Sequence, residues 1–289
     1  MVSVEGALGD SLSLYKRNPI FIIPHLVESI LTFAVLLSVA VTIILAIGVH
    51  VADVALSDPQ LLVSQIEGAG LGLLAVIILT ILFGVFLISL IKAGALAGVV
   101  GMAQRGFKGE KVSWSVAIEN AKKHALNIFL FWIVAGLILV FLFVGIFIPA
   151  FFAAVIGLSE SLAVALAFLA LFVALILALA FYVSIMFTPQ YIVVGSTGIV
   201  GSMKESVDFV RRNIGAVLIY IVVVVVFSFF FFSFFGILSL VSDLFSRSSR
   251  FLGASLEIFL NLLSIVVSLV VAPYFEMVKT KMITEQENK

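Results

Sequence analysis

Cysteine is missing from all 289 residues. Its absence removes disulfides, thiol nucleophiles, iron–sulfur ligands and thiolate zinc sites, although it does not fix the redox compartment. Charge is scarce as well: Asp, Glu, Lys and Arg make up 11% of the chain, where a soluble domain carries about a quarter. The 16 cations and 16 anions cancel, so there is no basic field for a nucleic acid, and none is expected as a partner. Histidine occurs only as His25, His50 and His124. These fall in different segments, with His50 and His124 expected on opposite sides of a membrane, and no metal site follows. Serines are scattered through the apolar runs without a paired histidine and carboxylate, so nucleophilic catalysis has no candidate. The expectation is a chain that is not an enzyme and needs no cofactor.

Hydrocarbon fills the chain instead. The sequence is 63% hydrophobic with a mean hydropathy of +1.34. No soluble core of this length could hide so much apolar surface, so lipid must solvate most of it. The runs free of charge are Ser29–Val49, Gly68–Ile91, Ala125–Ser159, Ser161–Met203, Asn213–Ser242 and Ile258–Phe275. About 20 residues in a helix cross the ~30 Å hydrocarbon layer. Pro149, Gly157, Ser159 and Glu160 form a turn between the third and fourth runs. The fourth continues past Pro189 into Gly195-Ser196-Thr197-Gly198. Spans are expected from near 20–31 to 49, then at 70–92, 126–148, 162–188, 214–241 and 254–275. Strands of a barrel would alternate polar and apolar residues, and these runs do not. Lys16 and Arg17 ahead of an apolar stretch suggest a signal peptide, but the stretch runs from Ile20 to Val49 and carries Pro24, His25 and Glu28. A signal h-region is ~7–15 residues long, so this is expected to be a retained first span.

Orientation follows from the cations. Fourteen of the 16 Lys and Arg fall in the N-terminal segment, the second and fourth loops and the C-terminal tail; only Arg247 and Arg250 fall on the other side. The first loop there holds Asp53, Asp58 and Glu67 without a cation. The expected location is a cell membrane, crossed six times, with both termini cytoplasmic.

Repetition adds a further layer. The dibasic pairs Lys16-Arg17, Lys122-Lys123 and Arg211-Arg212 stand ahead of the first, third and fifth spans. One, four and eight residues before each pair come Tyr15, Leu12, Leu8; Ala121, Ile118, Trp114; and Val210, Val207, Met203. Five back are the small residues Ser11, Ala117 and Ser206. Offsets of three, four and seven share one helical face, so each odd span is preceded by an amphipathic helix ending in two cations suited to lipid headgroups. The expectation is an all-α polytopic membrane helix bundle. It is a single integral membrane domain over 1–289, built from three hairpins with repeats near 4–103, 110–198 and 199–283. Pro189 and Pro273, followed closely by Tyr191 and Tyr274, mark two return spans; the first return span offers Lys92 and the series Gly94, Gly98, Gly101 instead.

Through segments such as Ser11–Pro19 and Ser206–Gly215, nearly the whole chain resembles a loose group of six-span prokaryotic membrane proteins. That group includes the membrane domain attached to some glycerophosphodiester phosphodiesterases. The resemblance implies the architecture but no activity, because the soluble catalytic barrel and its acidic metal-binding cluster have no counterpart here, and no catalytic residue carries over.

Several residues stand out against this background. Glu28 is ionisable and about 13 Å into a helix that starts at Pro19, with His25 three residues earlier on the same face. Ionisable groups in a bilayer are costly and often functional. An ion pair of Glu28 with Lys92, bordering a polar cavity with His25, is one expectation; an interfacial carboxylate and a snorkelling lysine are the other. Gly94, Gly98 and Gly101 form a small-residue face for close helix packing, within the bundle or between subunits. Glu257 and Asn261 read as the start of the last helix, with Glu257 in its first turn. The loop Arg105–Lys111 is a positive-inside loop able to meet anionic lipid. Phe227 to Phe235 and the two tryptophans read as lipid-facing or packing residues. The resulting expectation is a non-enzymatic scaffold, assembly or membrane-organising module whose partners are membrane lipids and a membrane protein or second copy. The alternative is a small transporter or carrier of lipid or apolar solute with a polar cavity near Glu28.

Overall fold

A computed structural model of the chain describes residues 2–55, 62–156, 159–195 and 197–287. Asp58, Gly157, Ser196 and Lys289 lie outside them. The described residues form helices and no strand: α1 (Val4–Arg17), a 3₁₀ turn (Pro19–Ile22), α2 (Ile23–Ala55), α3 (Leu62–Phe107), α4 (Trp114–Val155), α5 (Glu160–Ile185), α6 (Thr188–Val194), α7 (Gly198–Arg212), α8 (Ile214–Ser248) and α9 (Arg250–Glu287). Six stretches are long and apolar enough to cross a membrane: Pro19–Ile47, Gly70–Phe107, Trp114–Phe152, Ser161–Val194, Ile214–Ser246 and Phe251–Gln286. The shortest has 29 residues, about 44 Å of helix. That exceeds a ~30 Å hydrocarbon layer, so every span tilts or projects beyond it.

Local chemistry explains where the helices stop. The Ser3 hydroxyl caps α1 by accepting from the Gly6 N–H at 3.1 Å, Glu5 lies in the first turn, and Lys16 and Arg17 lie in the last. This arrangement complements the helix dipole. At the far end Asn18 Nδ2 donates to the Leu14 carbonyl at 3.1 Å, and Pro19 cannot continue the ladder. Asn213 does the same behind the third basic pair, donating to the Phe209 carbonyl at 3.1 Å. The second pair behaves differently. The surface helix expected ahead of the third span is not a separate element, because α4 runs unbroken from Trp114 through Lys122 and Lys123 into the span. There the pair is followed by His124 and Ala125, and neither asparagine nor proline interrupts the backbone.

Proline positions also account for the even spans. Pro189 would leave the Ile185 carbonyl without its donor; α5 ends at Ile185, and the chain restarts as α6 with Pro189 in its first turn. Pro149 and Pro273, by contrast, lie inside α4 and α9, which continue to Val155 and Glu287. The expected ends of those spans are therefore overrun.

Burial is concentrated at the end of the molecule that carries both termini. One cluster joins Ala7 of α1 to Phe187, Tyr191, Phe209, Val217, Tyr220, Val278 and Met282. Another joins Ala93, Ala97 and Val100 to Ile128, Phe131, Ile185 and Ile192. The third joins Phe21 to Val99, Met102, Ala103, Val116, Ala117 and Met277. Farther along the spans the picture reverses. In the most apolar window of any span, no more than 11% of the residues are buried within the protein. Phe33, Leu71, Phe141, Phe168 and Phe229 all point outward. An exposed apolar surface this extensive is stable only against lipid or another apolar partner.

The terminal segments of the three parts dock in one pattern. Ala117 at the start of α4 lies against α3 at Gly98, whose Cβ, if present, would be 3.2 Å from the Ala117 Cβ. Ser206 of α7 donates to the Ser184 carbonyl at 2.9 Å and accepts from the Phe187 N–H at 3.3 Å, at the α5–α6 break. The remaining segment, α1, lies against α9. Tyr274 Oη donates to the Leu8 carbonyl at 3.2 Å, and Lys281 Nζ is 2.7 Å from Asp10 Oδ2. Each segment therefore rests on the helix that returns just before it, and the first rests on the last. Ser11, Ala117 and Ser206 are all buried.

Candidate functional site

The 3₁₀ turn after α1 sets the position of the site. Phe21 is fully buried among α3, α4 and α9, and this anchor fixes where α2 starts. His25 and Glu28 follow one turn apart on α2. The His25 Nδ1–H donates to Glu28 Oε2 at 2.6 Å, with the two side chains 15% and 16% exposed. A bond this short between a ring N–H and a carboxylate is of the strong, charge-assisted kind. His25 Nε2 is buried without a hydrogen-bond partner.

Lys92 is not Glu28's counterion. It is exposed and has no ion pair among the described residues. The face that α3 turns toward Glu28 is made of Leu90, Ile91, Gly94, Ala95 and Gly98, and Lys92 lies well round the helix from the middle of that stripe.

The small residues serve the chain's own packing. A Cβ at Gly94 would sit 3.8 Å from the Cβ atoms of both Ala121 and Ala125. One at Gly98 would press on Ala117, and one at Gly101 would overlap the Asn120 side chain. Gly94, Gly98 and Gly101 thus form the α3 side of the α3–α4 contact.

Around this contact a cavity of about 240 Å³ opens between α2, α3 and α4. Pro24, Val27, Glu28 and Leu31 supply one wall, the α3 stripe the second, and Trp114, Ala117, Ile118, Ala121 and Lys122 the third. Glu28 and Lys122 are its ionisable groups. Lys122 is exposed, as are Lys16, Arg17, Lys123, Arg211 and Arg212, and none of the six has an ion pair among the described residues. The three basic pairs keep their charge free for an external anion.

A second polar cluster was not anticipated from the sequence. Gln190 of α6 is fully buried, and its Nε2 donates to Glu276 Oε2 of α9 at 2.6 Å. The same carboxylate oxygen is 2.7 Å from Lys279 Nζ. The other amide atom, Gln190 Oε1, and the hydroxyl of neighbouring Thr188 are buried without partners. The available signal was position: Gln190 follows Pro189 and Glu276 lies three residues after Pro273, so each polar group stands beside a proline near the same end of its span. Elsewhere Arg105 pairs with Glu119 at 3.0 Å on the surface, and Gly109 turns the loop between α3 and α4 at φ +76°. Glu257 and Asn261 are exposed; because α9 begins at Arg250, Glu257 sits beyond the first turn expected for it. In α1 burial pushes the Tyr15 hydroxyl up to about 12, and that hydroxyl has no partner. Among the described residues no three histidine, aspartate or glutamate side chains are grouped to hold a metal ion.

Six long apolar helices gathered at one end into a tightly packed knot define a polytopic α-helical membrane protein. Comparison with known proteins then gives the family. Residues 4–285 match the family described as Domain of unknown function (DUF7847), and the chain belongs to it. No curated protein and no solved structure matches, and nothing among these findings links the chain to the membrane domain of glycerophosphodiester phosphodiesterases.

Proposed function

We propose that the protein is a non-enzymatic membrane-organising module. In this reading it sits in the cell membrane with its packed end and both termini at the cytoplasmic face, and its three hairpins are repeats of one unit. The observation that carries the reading is the distribution of burial. Cohesion is concentrated in the knot at the terminal end, while the spans leave most of their apolar surface uncovered. Apolar cavities of about 240, 300 and 190 Å³ lie between neighbouring spans. A body tied at one surface and parted along its length is suited to hold lipid chains or partner helices between its own. The exposed basic pairs fit the anionic inner leaflet, where each cation near the surface contributes about 1 kcal/mol.

The carrier reading draws on one observation, that Glu28 borders a cavity. Vesicles reconstituted with the purified protein separate the two. The organising module leaves the transbilayer movement of labelled lipid at the protein-free rate; movement that depends on Glu28 replaces it with the carrier. Because the chain has no cysteine, single cysteines at Ser3 and Ser159 report orientation directly. Labelling of Ser3→Cys from outside intact cells refutes the cytoplasmic placement.

A further inference from the structure

We infer that the groove between α2 and α3 holds one amino-phospholipid, with its headgroup between Glu28 and Lys122 and one acyl chain lying along α2 toward Thr42. This deepens the organising reading and rests on it. The cavity at Glu28 adjoins a second one of about 300 Å³ along the same helix pair, and Leu31 and Ile91 line both. The second runs between α2 and α3 past Ser38 to Thr42. From Glu28 to Thr42 is about 21 Å of helix, which exceeds the ~15 Å depth of one leaflet, half of a ~30 Å hydrocarbon layer. The groove therefore reaches from headgroup level to the end of a chain.

The groove's chemistry changes along its length as a phospholipid's does. At the mouth a carboxylate and an ammonium line one cavity: Lys122 meets a phosphate, and Glu28, one oxygen of which His25 already holds at 2.6 Å, meets the lipid's primary ammonium. Trp114 lies at the same mouth, the level at which indole rings settle in membranes. Deeper in, the wall is apolar apart from the hydroxyls of Ser38, Thr42 and Thr80. Ser38 Oγ donates to the Ala34 carbonyl and Thr42 Oγ1 to the Ser38 carbonyl, both at 2.8 Å, so neither requires a partner from the occupant. Size points the same way. A transmembrane helix about 10 Å across and 21 Å long occupies roughly 1,600 Å³, far more than cavities of about 240 and 300 Å³ provide. A single hydrocarbon chain is thin enough.

The test uses the full chain in detergent, stripped of lipid and titrated with dioleoyl phosphatidylethanolamine, phosphatidylcholine or phosphatidylglycerol under native mass spectrometry. One phosphatidylethanolamine should be retained, about tenfold more tightly than phosphatidylglycerol, since one charge-assisted hydrogen bond separates them. Glu28→Gln should erase that preference, and Lys122→Gln should weaken all three lipids. Leu31 is 45% exposed and sits where the two cavities join; Leu31→Trp should block retention while leaving the melting temperature unchanged. If Leu31→Trp does not fold, Ile91→Phe at the same junction replaces it. Equal retention of phosphatidylglycerol, or retention that survives a folded junction variant, overturns the site. Lipid flux in vesicles is scored separately: Glu28-dependent movement ends the organising reading even if the titration succeeds, and a failed titration without flux ends only the site.

Discussion

Substituting alanine in turn for Gly94, Gly98 and Gly101 tests the geometry on which the groove depends. Each change gains about 1 kcal/mol of helix propensity, so the differences report the space each methyl meets. At Gly94 the methyl lies 3.8 Å from two alanine Cβ atoms, an ordinary contact, and the variant should equal or slightly exceed the parent in stability. At Gly98 it meets the Ala117 Cβ at 3.2 Å and the Ala117 carbonyl oxygen at 3.3 Å. Neither atom has a rotamer to escape into, so the helices must part. Overpacking of this kind costs about 1–3 kcal/mol, and the net effect should be a loss of up to about 2 kcal/mol. At Gly101 the methyl overlaps Asn120, whose Nδ2 donates to the Val116 carbonyl at 2.9 Å. That side chain can swing away by giving up a bond worth about 0.5–1.5 kcal/mol, so this variant should fall between the other two. Adding Asn120→Ala should then cancel the penalty. The readout is unfolding in mixed micelles followed by tryptophan fluorescence, since Trp114 and Trp132 are the only tryptophans and both belong to α4. If Gly98→Ala is as stable as Gly94→Ala, or if Asn120→Ala brings no rescue, α3 and α4 do not meet through this face.

Three further outcomes are expected. Lys281→Met removes the 2.7 Å pair with Asp10, the 3.9 Å approach to Glu285 and the cation over the Phe107 ring. Because Asp10 is largely exposed, the loss should be about 1 kcal/mol or less, visible as faster tryptic cleavage after Arg17, with Asp10→Lys plus Lys281→Asp restoring protection at that bond. Gln190→Leu leaves the Glu276 carboxylate short of a buried donor and should cost about 1–3 kcal/mol; Gln190→Glu should be less stable still at neutral pH, where two carboxylates would face each other, and the same micelle assay ranks them. The Tyr15 hydroxyl releases its proton near 10 when unfolded and at about 12 when folded. The unfolded state therefore loses protons first, and stability should fall as pH rises from 10 to 12; Tyr15→Phe should remove that component of the decline, and an unchanged alkaline profile in the variant would refute the assignment.

The apolar spans were legible in the sequence because lipid imposes a one-dimensional constraint: a crossing helix must be apolar along its whole length, whatever its neighbours. The docking role of Gly98 and the burial of Ser11, Ala117 and Ser206 were partly legible for a similar reason, since small residues at helical spacing favour close approach. Partnership was not. Glu28 faces Lys122 across a cavity and takes His25 as its hydrogen-bond partner, because rotation about the helix axis decides what meets it, and Lys92 is turned away. Gln190 and Glu276 are separated by 86 residues, and no periodicity within either segment brings them together. Helix breaks were legible only where a side chain enforces them: Pro19 and Asn213 interrupt the backbone, whereas nothing after Lys123 does, and the expected second surface helix merges into its span.

The resting place of α1 has a consequence for biogenesis. Its Asp10 meets Lys281 and its Ser3 N–H reaches Glu285, a partner 282 residues later in the chain. Helix α1 is therefore made well before α9, the helix that completes its seat. Until α9 arrives only the earlier part of that seat, at Phe187, Phe209 and Val217, can receive Ala7. A protein truncated before Val278 would keep Tyr274 but lose Val278, Lys281, Met282 and Glu285, and with them most of the α9 side of that seat.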